Sequence, residues 1–161
     1  MLSPTIEVKV PMPSDPVLSK DVIVKLDELL QQSGEAERGG DLNQSLTQGQ
    51  VAWDILPEPK ASWDFYPQII ARGMLRKFTA KRDIDQVKAW LQLTYEAYAD
   101  SEHNNHFVNM LEGSVWRSLG DDDNAYTIFE KIYNREGRNG FRGENVNHLE
   151  WFLKQRAQRR G

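Results

Sequence analysis

Residues 113–129 read GSVWRSLGDDDNAYTIF, and this stretch decides the fold class of the chain. A small residue, Gly113, lies three positions before Trp116, and a turn at Gly120 comes directly before Asp121. Aspartate is favoured just before a helix, because its carboxylate accepts backbone N–H groups that lack a partner in the first turn. Close crossing of two helices needs a small side chain at the contact and a large neighbour, here Phe129, beside it. The stretch therefore predicts two helices joined by a tight turn and packed against each other.

The same pattern recurs in earlier parts of the chain. Residues 82–91 align with residues 120–129 at an offset of 38, and a third copy precedes them. In that third copy Ser45, Ala52 and Pro57 occupy two small positions and a closing proline. The pattern resembles the tetratricopeptide (TPR) repeat, a helical hairpin with a period of about 34 residues. The alternative is a generic antiparallel helical bundle, which shares the caps and apolar stripes but not the small-residue register.

Apolar stripes, caps and breakers along the chain predict about seven helices with short connections. This is an all-α, short TPR-like antiparallel helical array. The first helix should begin after Ser19 and be interrupted at Gly34 and then at Gly39 and Gly40, and the third should begin at Ser62 or Asp64. The other predicted helices span about 41–56, 106–119, 121–135 and 145–158, with one more capped by Asp83.

The N-terminal segment, residues 1–18, is predicted to be an extended arm. It contains four of the seven prolines of the chain, and no helix runs through so many. Ile6, Val8 and Val10 alternate with polar residues as in a short strand, but no other strand signal accompanies them. We therefore expect an arm that lies on the body or is mobile, and a single helical domain over residues 19–161.

Composition and charge narrow the classes of function. The 161 residues include no cysteine, which excludes disulfides, zinc ribbons and thiol catalysis. With 20 basic and 24 acidic residues the net charge is −4, which gives no electrostatic reason to expect nucleic acid as a partner. No apolar run reaches about 18 residues and no signal peptide is recognisable, so we expect a cytoplasmic protein with no membrane partner. The charge is polarised, from −6 over residues 1–66 to +4 over residues 135–161.

No sequence motif points to catalysis. His103 and His106, beside Glu102, offer two metal ligands three residues apart, but their spacing fixes no third. An enzyme that uses this pair is the least favoured alternative. The acidic run 121–123 lacks the glycine and distal glutamate of a calcium loop, and the preference for acidic residues at a helix start explains it. We predict a non-enzyme with no catalytic residue, metal or cofactor.

Helical register predicts which residues line the concave face of a repeat array, where the first helix of each repeat carries the binding site. Three arginines beside a phenylalanine and a methionine would bind an acidic, partly apolar surface of a partner. If the arginines are simply solvated, this face carries no site. The residues at these positions are Ile69, Arg72, Arg76 and Thr79 in the middle repeat and Phe107, Met110, Ser114 and Arg117 in the last.

Five tryptophans are many for a chain of this length. Trp53, Trp90 and Trp116 lie on predicted inward faces and are expected in the core. Trp63 lies in a connection between repeats, where it serves as a staple or as an exposed anchor. Of Trp151 and the phenylalanine that follows it, one is expected to pack inward and the other to be partly exposed.

Two stretches carry a resemblance to a known family. The first is residues 52–60, AWDILPEPK, followed by Trp63 and Asp64. The second is residues 120–130, GDDDNAYTIFE, followed by EGR at 136–138, Phe141, GE at 143–144 and LEWF at 149–152. Together they resemble a family of small bacterial TPR-like proteins encoded beside polymorphic toxins, such as toxins with Rhs repeats or those delivered by contact-dependent and type VI secretion systems. The resemblance covers about residues 41–153 and implies an immunity protein.

The mechanism that this resemblance implies is stoichiometric inhibition. The chain would bind the catalytic domain of a cognate protein toxin one-to-one and block its active site. Because many such toxins have basic clefts, the acidic first half of the chain is a candidate interface, alongside the arginine-lined face. The alternative function is a TPR-type interaction adaptor or secretion chaperone with several partners. The candidate contacts in the first half are Glu28, Glu35, Glu37, Asp41, Glu58, Trp63 and Asp64.

Overall fold

A computed structural model describes residues 17–161, so the predicted arm over residues 1–18 lies almost wholly outside the described residues. The described part consists of seven α-helices, three short 3₁₀ turns and their connections, and it contains no strand. The predicted all-α helical array is therefore confirmed. In chain order the helices are α1 (Lys20–Arg38), α2 (Leu42–Ile55), α3 (Tyr66–Lys81), α4 (Ile84–Ala97), α5 (His106–Ser118), α6 (Asp122–Glu136) and α7 (Val146–Arg160).

Consecutive helices pair into three hairpins, α1–α2, α3–α4 and α5–α6, and α7 packs on α6. The odd-numbered helices adjoin one another, since Tyr66 of α3 donates a hydrogen bond to Asp27 of α1 and α3 contacts α5. On the even-numbered side, Trp53 of α2 meets Trp90 of α4 edge to face with ring centres 5.3 Å apart. The second helix of each hairpin coincides with one of the three sequence copies.

Local caps explain where most of the helices begin. Each cap side chain accepts a hydrogen bond from the backbone N–H three residues on, which stabilises the helix by about 1 kcal/mol. The caps at Ser19, Asp41, Asp83 and Asp121 confirm the predicted starts, and Asn105 caps α5 in the same way. Across residues 17–161, no helix combines the length and apolar character that a membrane span requires.

The predicted interruption of the first helix at Gly34 is wrong, whereas the predicted break at Gly39 and Gly40 is confirmed. Gly34 lies inside α1, which continues to Arg38 and is followed by a turn at Gly40 with φ 85°. A glycine in a helix interior costs only about 1 kcal/mol relative to alanine. Contacts made beyond Gly34 offset that penalty, because Glu37 in the last turn of α1 pairs with Arg76 and Lys77 of α3, and most helix stability in proteins comes from tertiary contacts.

The predicted start of the third helix is also wrong. The helix begins at Tyr66 rather than at Ser62 or Asp64. Phe65 has φ 75° and ψ −62°, outside the right-handed helical region, so that no helix can pass through it. The segment before it contains only a 3₁₀ turn, Lys60–Ser62.

The predicted small-residue register is confirmed in the hairpin α5–α6. A Cβ atom on Gly113 would lie 2.5 Å from Cε1 of Phe129, which is fully buried. Carbon atoms in contact normally lie about 3.5–4.0 Å apart, so this crossing depends on glycine. A second close approach was not predicted: a Cβ atom on Gly49 of α2 would lie 2.5 Å from Sδ of Met74 in α3.

The tryptophans occupy the predicted places. Trp63 is half-buried and its Nε1 donates to the carbonyl oxygen of Pro57 at 2.7 Å, so it staples the α2–α3 connection. Phe152 is fully buried and Trp151 is half-buried. The three tryptophans expected in the core, Trp53, Trp90 and Trp116, are buried.

Candidate functional site

An open groove of about 560 Å³ lies between α3 and α5. Its walls come from one face of each helix, because residues three and four apart in a helix share a face. Six of the eight residues predicted for the concave face line this groove. They are Ile69, Arg72, Arg76, Thr79, Phe107 and Ser114, and the remaining lining residues are Gly73, Leu111, Val115 and Ser118.

Two central residues of this α3–α5 groove, Gly73 and Leu111, were not predicted, although the sequence pattern contains them. Gly73 follows Ile69 by four residues, and Leu111 follows Phe107 by four residues. Both therefore continue a face that was already identified. No atom lies within 4 Å of the place where a Cβ on Gly73 would stand, so the groove is open at this point.

The groove continues on both sides across the odd-numbered helices. Toward α7, a depression of about 390 Å³ shares Phe107, Leu111 and Ser114 and extends to Glu144 and Asn145. Toward α1, a smaller depression of about 200 Å³ shares Ile69, Gly73 and Arg76 and extends to Ser33 and Glu37 of α1. We call the three together the α1–α3–α5 surface.

The two arginines of the groove differ in their electrostatic state. Both Nη atoms of Arg76 donate to the carboxylate of Glu37, at 2.5 and 2.9 Å. The hydrogen bond from Arg76 holds the pKa of Glu37 below its usual value, so the pair is ionised and Arg76 is neutralised within the chain. The guanidinium of Arg72 lies 5.3 Å from the centre of the Phe107 ring, and Arg72 has no ion-pair partner among residues 17–161. Its Nε donates only a long bond, 3.4 Å, to the carbonyl oxygen of Gln68.

A buried lysine closes the α1 side of this surface. Lys77 has a side chain that is only 8% exposed, and its Nζ lies 3.9 Å from the carboxylate of Glu37. Nζ donates to Oγ of Ser33 at 2.8 Å, and Ser33 in turn donates to the carbonyl oxygen of Ser45, one of the predicted small positions. Burial lowers the pKa of Lys77 from its ordinary value, while the charge of Glu37 opposes that effect. No sequence signal marks this lysine, because its burial depends on contacts with α1.

The other two residues predicted for the concave face, Met110 and Arg117, do not line the α3–α5 groove itself. Arg117 turns toward α7, where its Nη1 donates to Nδ1 of His148 at 3.0 Å and its guanidinium lies 5.3 Å from the Trp151 ring centre. Burial, followed by the charge of Arg117, lowers the pKa of His148, which accordingly accepts as a neutral ring. Met110 is buried, and lines only the depression toward α7. The expectation of three arginines in one groove is therefore wrong for Arg117.

The acidic candidates of the first half do not form one patch with the groove. Of these six carboxylates, only Glu37 lines the α1–α3–α5 surface, and it is held by Arg76. Asp41 caps α2 through the backbone N–H of Gln44. The remaining four are exposed: Glu28 lies 3.8 Å from Lys25, Glu35 accepts from Gln31, Glu58 lies 3.3 Å from Lys60, and Asp64 precedes α3.

The two histidines suggested as metal ligands have separate partners. The ring of His103 stacks on Tyr95 with ring centres 3.7 Å apart, whereas Nδ1 of His106 is hydrogen-bonded to the carboxylate of Glu136. Within residues 17–161, no three histidine, aspartate or glutamate side chains are grouped so that they could hold a metal ion.

Comparisons of the chain with models of known protein families, with curated proteins and with solved structures gave no match.

Proposed function

We propose that this chain is an immunity protein that binds the catalytic domain of one cognate toxin through the α1–α3–α5 surface and blocks its active site. The observation that carries the binding role is the α3–α5 groove, in which Arg72 lies over Phe107 and has no carboxylate partner in the described part of the chain. The toxin as partner rests on the resemblance of residues 41–153 to proteins encoded beside polymorphic toxins.

The apolar part of the groove contributes the first of two terms to binding. Phe107 remains 47% exposed in a groove that Ile69, Leu111 and Val115 also line. For a phenylalanine of about 200 Å², this exposed fraction is about 95 Å². At about 25 cal/mol per Å², covering it with a partner side chain stabilises a complex by about 2 kcal/mol.

The guanidinium of Arg72 contributes the second term. Its two Nη groups form a planar fork that matches a carboxylate, and stacking on the Phe107 ring holds the fork in place before a partner arrives. A hydrogen bond to a charged group contributes about 1.5–3 kcal/mol. The groove therefore favours a partner segment in which an acidic side chain stands beside an apolar one.

The geometry favours this interface over the acidic first half of the chain. Glu37 and Asp41 already hold Arg76 and the start of α2, so a partner could recruit them only by breaking those contacts. Arg72 can bind a carboxylate of the partner without the loss of any ion pair in residues 17–161.

Co-expression with the product of the adjacent gene tests the proposal. We expect that product to arrest bacterial growth alone, growth to resume when this chain is present, and the two proteins to elute as a one-to-one complex. Arg72→Glu should weaken the complex about tenfold to a hundredfold, measured by calorimetry, because it removes one charge-assisted hydrogen bond and adds repulsion. Phe107→Ala should weaken it about thirtyfold, the factor that corresponds to about 2 kcal/mol.

Arg138→Glu is the matched control, since Arg138 is exposed and lies outside the α1–α3–α5 surface. It should leave the affinity unchanged. If the neighbouring product is not toxic, or stays toxic beside the folded chain, the immunity role is wrong. If a tight complex forms but Arg72→Glu and Phe107→Ala bind as well as the unchanged chain, the groove is not the interface.

The mostly apolar lining of the groove also favours a second candidate, an interaction adaptor or secretion chaperone. Apolar side chains such as Ile69, Leu111 and Val115 accept varied apolar segments with little demand for one sequence. This function predicts moderate affinity for several partners, all weakened by Phe107→Ala. A single tight partner whose toxicity is relieved would decide against it.

A further inference from the structure

A second groove, of about 520 Å³, lies on the side of the molecule built by the even-numbered helices. We call it the α2–α4 groove, because it lies between the C-terminal ends of α2 and α4 and the connection after α2. Its apolar part includes Trp53, Pro59, Leu93 and Ala97. It shares no lining residue with the α1–α3–α5 surface, so binding at this groove can be tested independently of the proposed function.

Two helix ends give this groove a negative potential. α2 ends at Ile55 and α4 ends at Ala97, and neither helix has a basic residue in its last turn. The C-terminal end of a helix carries a partial negative charge, so a cation there is stabilising and a carboxylate is not. At the end of α2, Lys60 meets this need: its Nζ donates to the carbonyl oxygens of Trp53 and Leu56, at 3.0 and 2.8 Å.

The end of α4 has the opposite arrangement. Glu96 stands in its last turn and is exposed, and within residues 17–161 its carboxylate accepts a hydrogen bond only from the neutral side-chain amide of Gln92. Glu58 lines the same groove with a side chain that is 77% exposed, and Asp100 adds a third carboxylate. Burial raises the pKa of Asp100, but hydrogen bonds from the backbone N–H groups of Asn104 and Asn105 lower it by more. The pKa of Asp100 therefore lies below the usual value. Lys60 is the one cation among the described residues that line the groove, and it already binds the carbonyl groups at the end of α2.

Lys60 also shows how a cation fits this groove. Its ammonium lies 5.4 Å from the centre of the Trp53 ring and 3.3 Å from the carboxylate of Glu58. A cationic side chain with an apolar stem can therefore rest on the aromatic and aliphatic lining while its charge meets a carboxylate. The position beside Glu96 and the α4 terminus offers a carboxylate and a helix C-terminus next to Leu93 and Ala97, and no cation of residues 17–161 pairs with Glu96.

We propose that the α2–α4 groove binds a basic, partly apolar segment of a partner protein, with an arginine or lysine against Glu96 and the C-terminal end of α4. The apolar neighbour of that residue packs on Leu93, Ala97 and Trp53. The partner surface that fits here is opposite in charge to the acidic segment that fits the α3–α5 groove.

Nuclear magnetic resonance titration with two synthetic peptides tests the inference on the full chain. The probes are blocked six-residue peptides of alternating leucine and arginine, or of alternating leucine and glutamate. We expect the arginine peptide to shift amide resonances of Ala61, Leu93 and Ala97, and the glutamate peptide to leave them in place. Raising the salt concentration should weaken the binding, since the contact is electrostatic and near the surface.

Charge-neutralising variants make the test specific. Glu96→Gln should weaken binding of the arginine peptide about two- to fivefold, and adding Glu58→Gln should bring the loss to about tenfold. Glu150→Gln is the control, because Glu150 is an exposed carboxylate on α7 outside this groove. Circular dichroism verifies that each variant is folded, and the Tm of Glu96→Gln should not fall, since it removes a carboxylate from a helix C-terminus.

Three results would each overturn the inference. The glutamate peptide could shift the same resonances equally, which would mean that the groove is only apolar. The arginine peptide could shift resonances elsewhere or none. The Glu96→Gln, Glu58→Gln double variant could bind the arginine peptide as tightly as the Glu150→Gln control. None of these results bears on the complex tested through Arg72 and Phe107.

Discussion

Replacing Gly113 by alanine tests the close crossing of α5 and α6 on which the third hairpin depends. The added methyl group would stand 2.5, 2.8 and 2.9 Å from three ring atoms of Phe129. That ring cannot swing away freely, because it is fully buried and packs against His148 and Trp151 with ring centres 4.9 and 5.9 Å away. Helix and ring must therefore separate by about 1 Å to restore contact distances of about 3.5–4.0 Å.

The magnitude follows from two opposing terms. Alanine in a helix interior is favoured over glycine by about 1 kcal/mol. Overpacking of a close-packed core costs about 1–3 kcal/mol. Gly73→Ala isolates the first term, because Gly73 lies in the interior of α3 with no atom within 4 Å of the added Cβ. The free energies of unfolding of the two variants should then differ by the overpacking term, about 2 kcal/mol, with Gly73→Ala the more stable.

Urea denaturation followed by circular dichroism and tryptophan fluorescence measures this difference. For a domain of this size, about 2 kcal/mol corresponds to a Tm difference of about 6 °C. Gly49→Ala should fall between the two variants, since its added methyl meets the sulfur of Met74, whose flexible side chain can rotate away. If Gly113→Ala proves as stable as Gly73→Ala, the reasoning about the α5–α6 crossing is refuted.

Three further substitutions test the polar contacts. Tyr95→Phe should lower the free energy of unfolding by about 1–2 kcal/mol in denaturant titrations, because the buried hydroxyl lies 2.6 Å from Glu112; unchanged stability would contradict this. Because the bond from Arg76 lowers the pKa of Glu37, the pair stabilises the fold at neutral pH and this contribution is lost as pH falls through that lowered pKa. At pH 7 the free energy of unfolding of Glu37→Gln should thus be about 0.5–1 kcal/mol lower than that of the unchanged chain. If this difference is the same at pH 3 as at pH 7, the ion pair does not stabilise the fold. Burial lowers the pKa of Lys77, so the charged amine opposes folding at pH 7 and the penalty is relieved as pH rises through the folded pKa. Lys77→Met should raise the Tm at pH 7, by an amount equivalent to about 1 kcal/mol, and a fall in Tm would show that the contact to Ser33 dominates.

Local signals were sufficient for the helices and for the composition of the groove. Asp41, Asp83 and Asp121 cap helices through bonds that span three residues, which a sequence displays directly. The helical period alone places Arg72 and Arg76 on one face of α3, and the structure brings that face to the groove. The exceptions are Gly34, which α1 passes through, and Phe65, whose positive φ places the start of α3 at Tyr66 and has no signature in the neighbouring residues.

The electrostatic state of each groove residue could not be predicted, because it depends on partners from distant parts of the chain. Arg72 and Arg76 are the same residue type and lie on the same face of α3. Of these two arginines, Glu37, which is 39 residues before Arg76 in the sequence, neutralises Arg76 and not Arg72. Arg117 follows the same register on α5, but α7 lies close enough to bind it. Periodicity fixes the direction in which a side chain leaves its helix, whereas only the placement of neighbouring helices decides what it meets.

The sequence by itself thus determined an all-α array of paired helices, the close α5–α6 crossing at Gly113 and the residue types along the groove. Tertiary structure alone decided that Arg72 lies over Phe107 without an ion-pair partner in residues 17–161, and that the ends of α2 and α4 meet in an acidic groove. The physical reason is range. Caps, turns and helical faces arise from contacts within about four residues, whereas ion pairs and grooves arise where helices distant in sequence pack together.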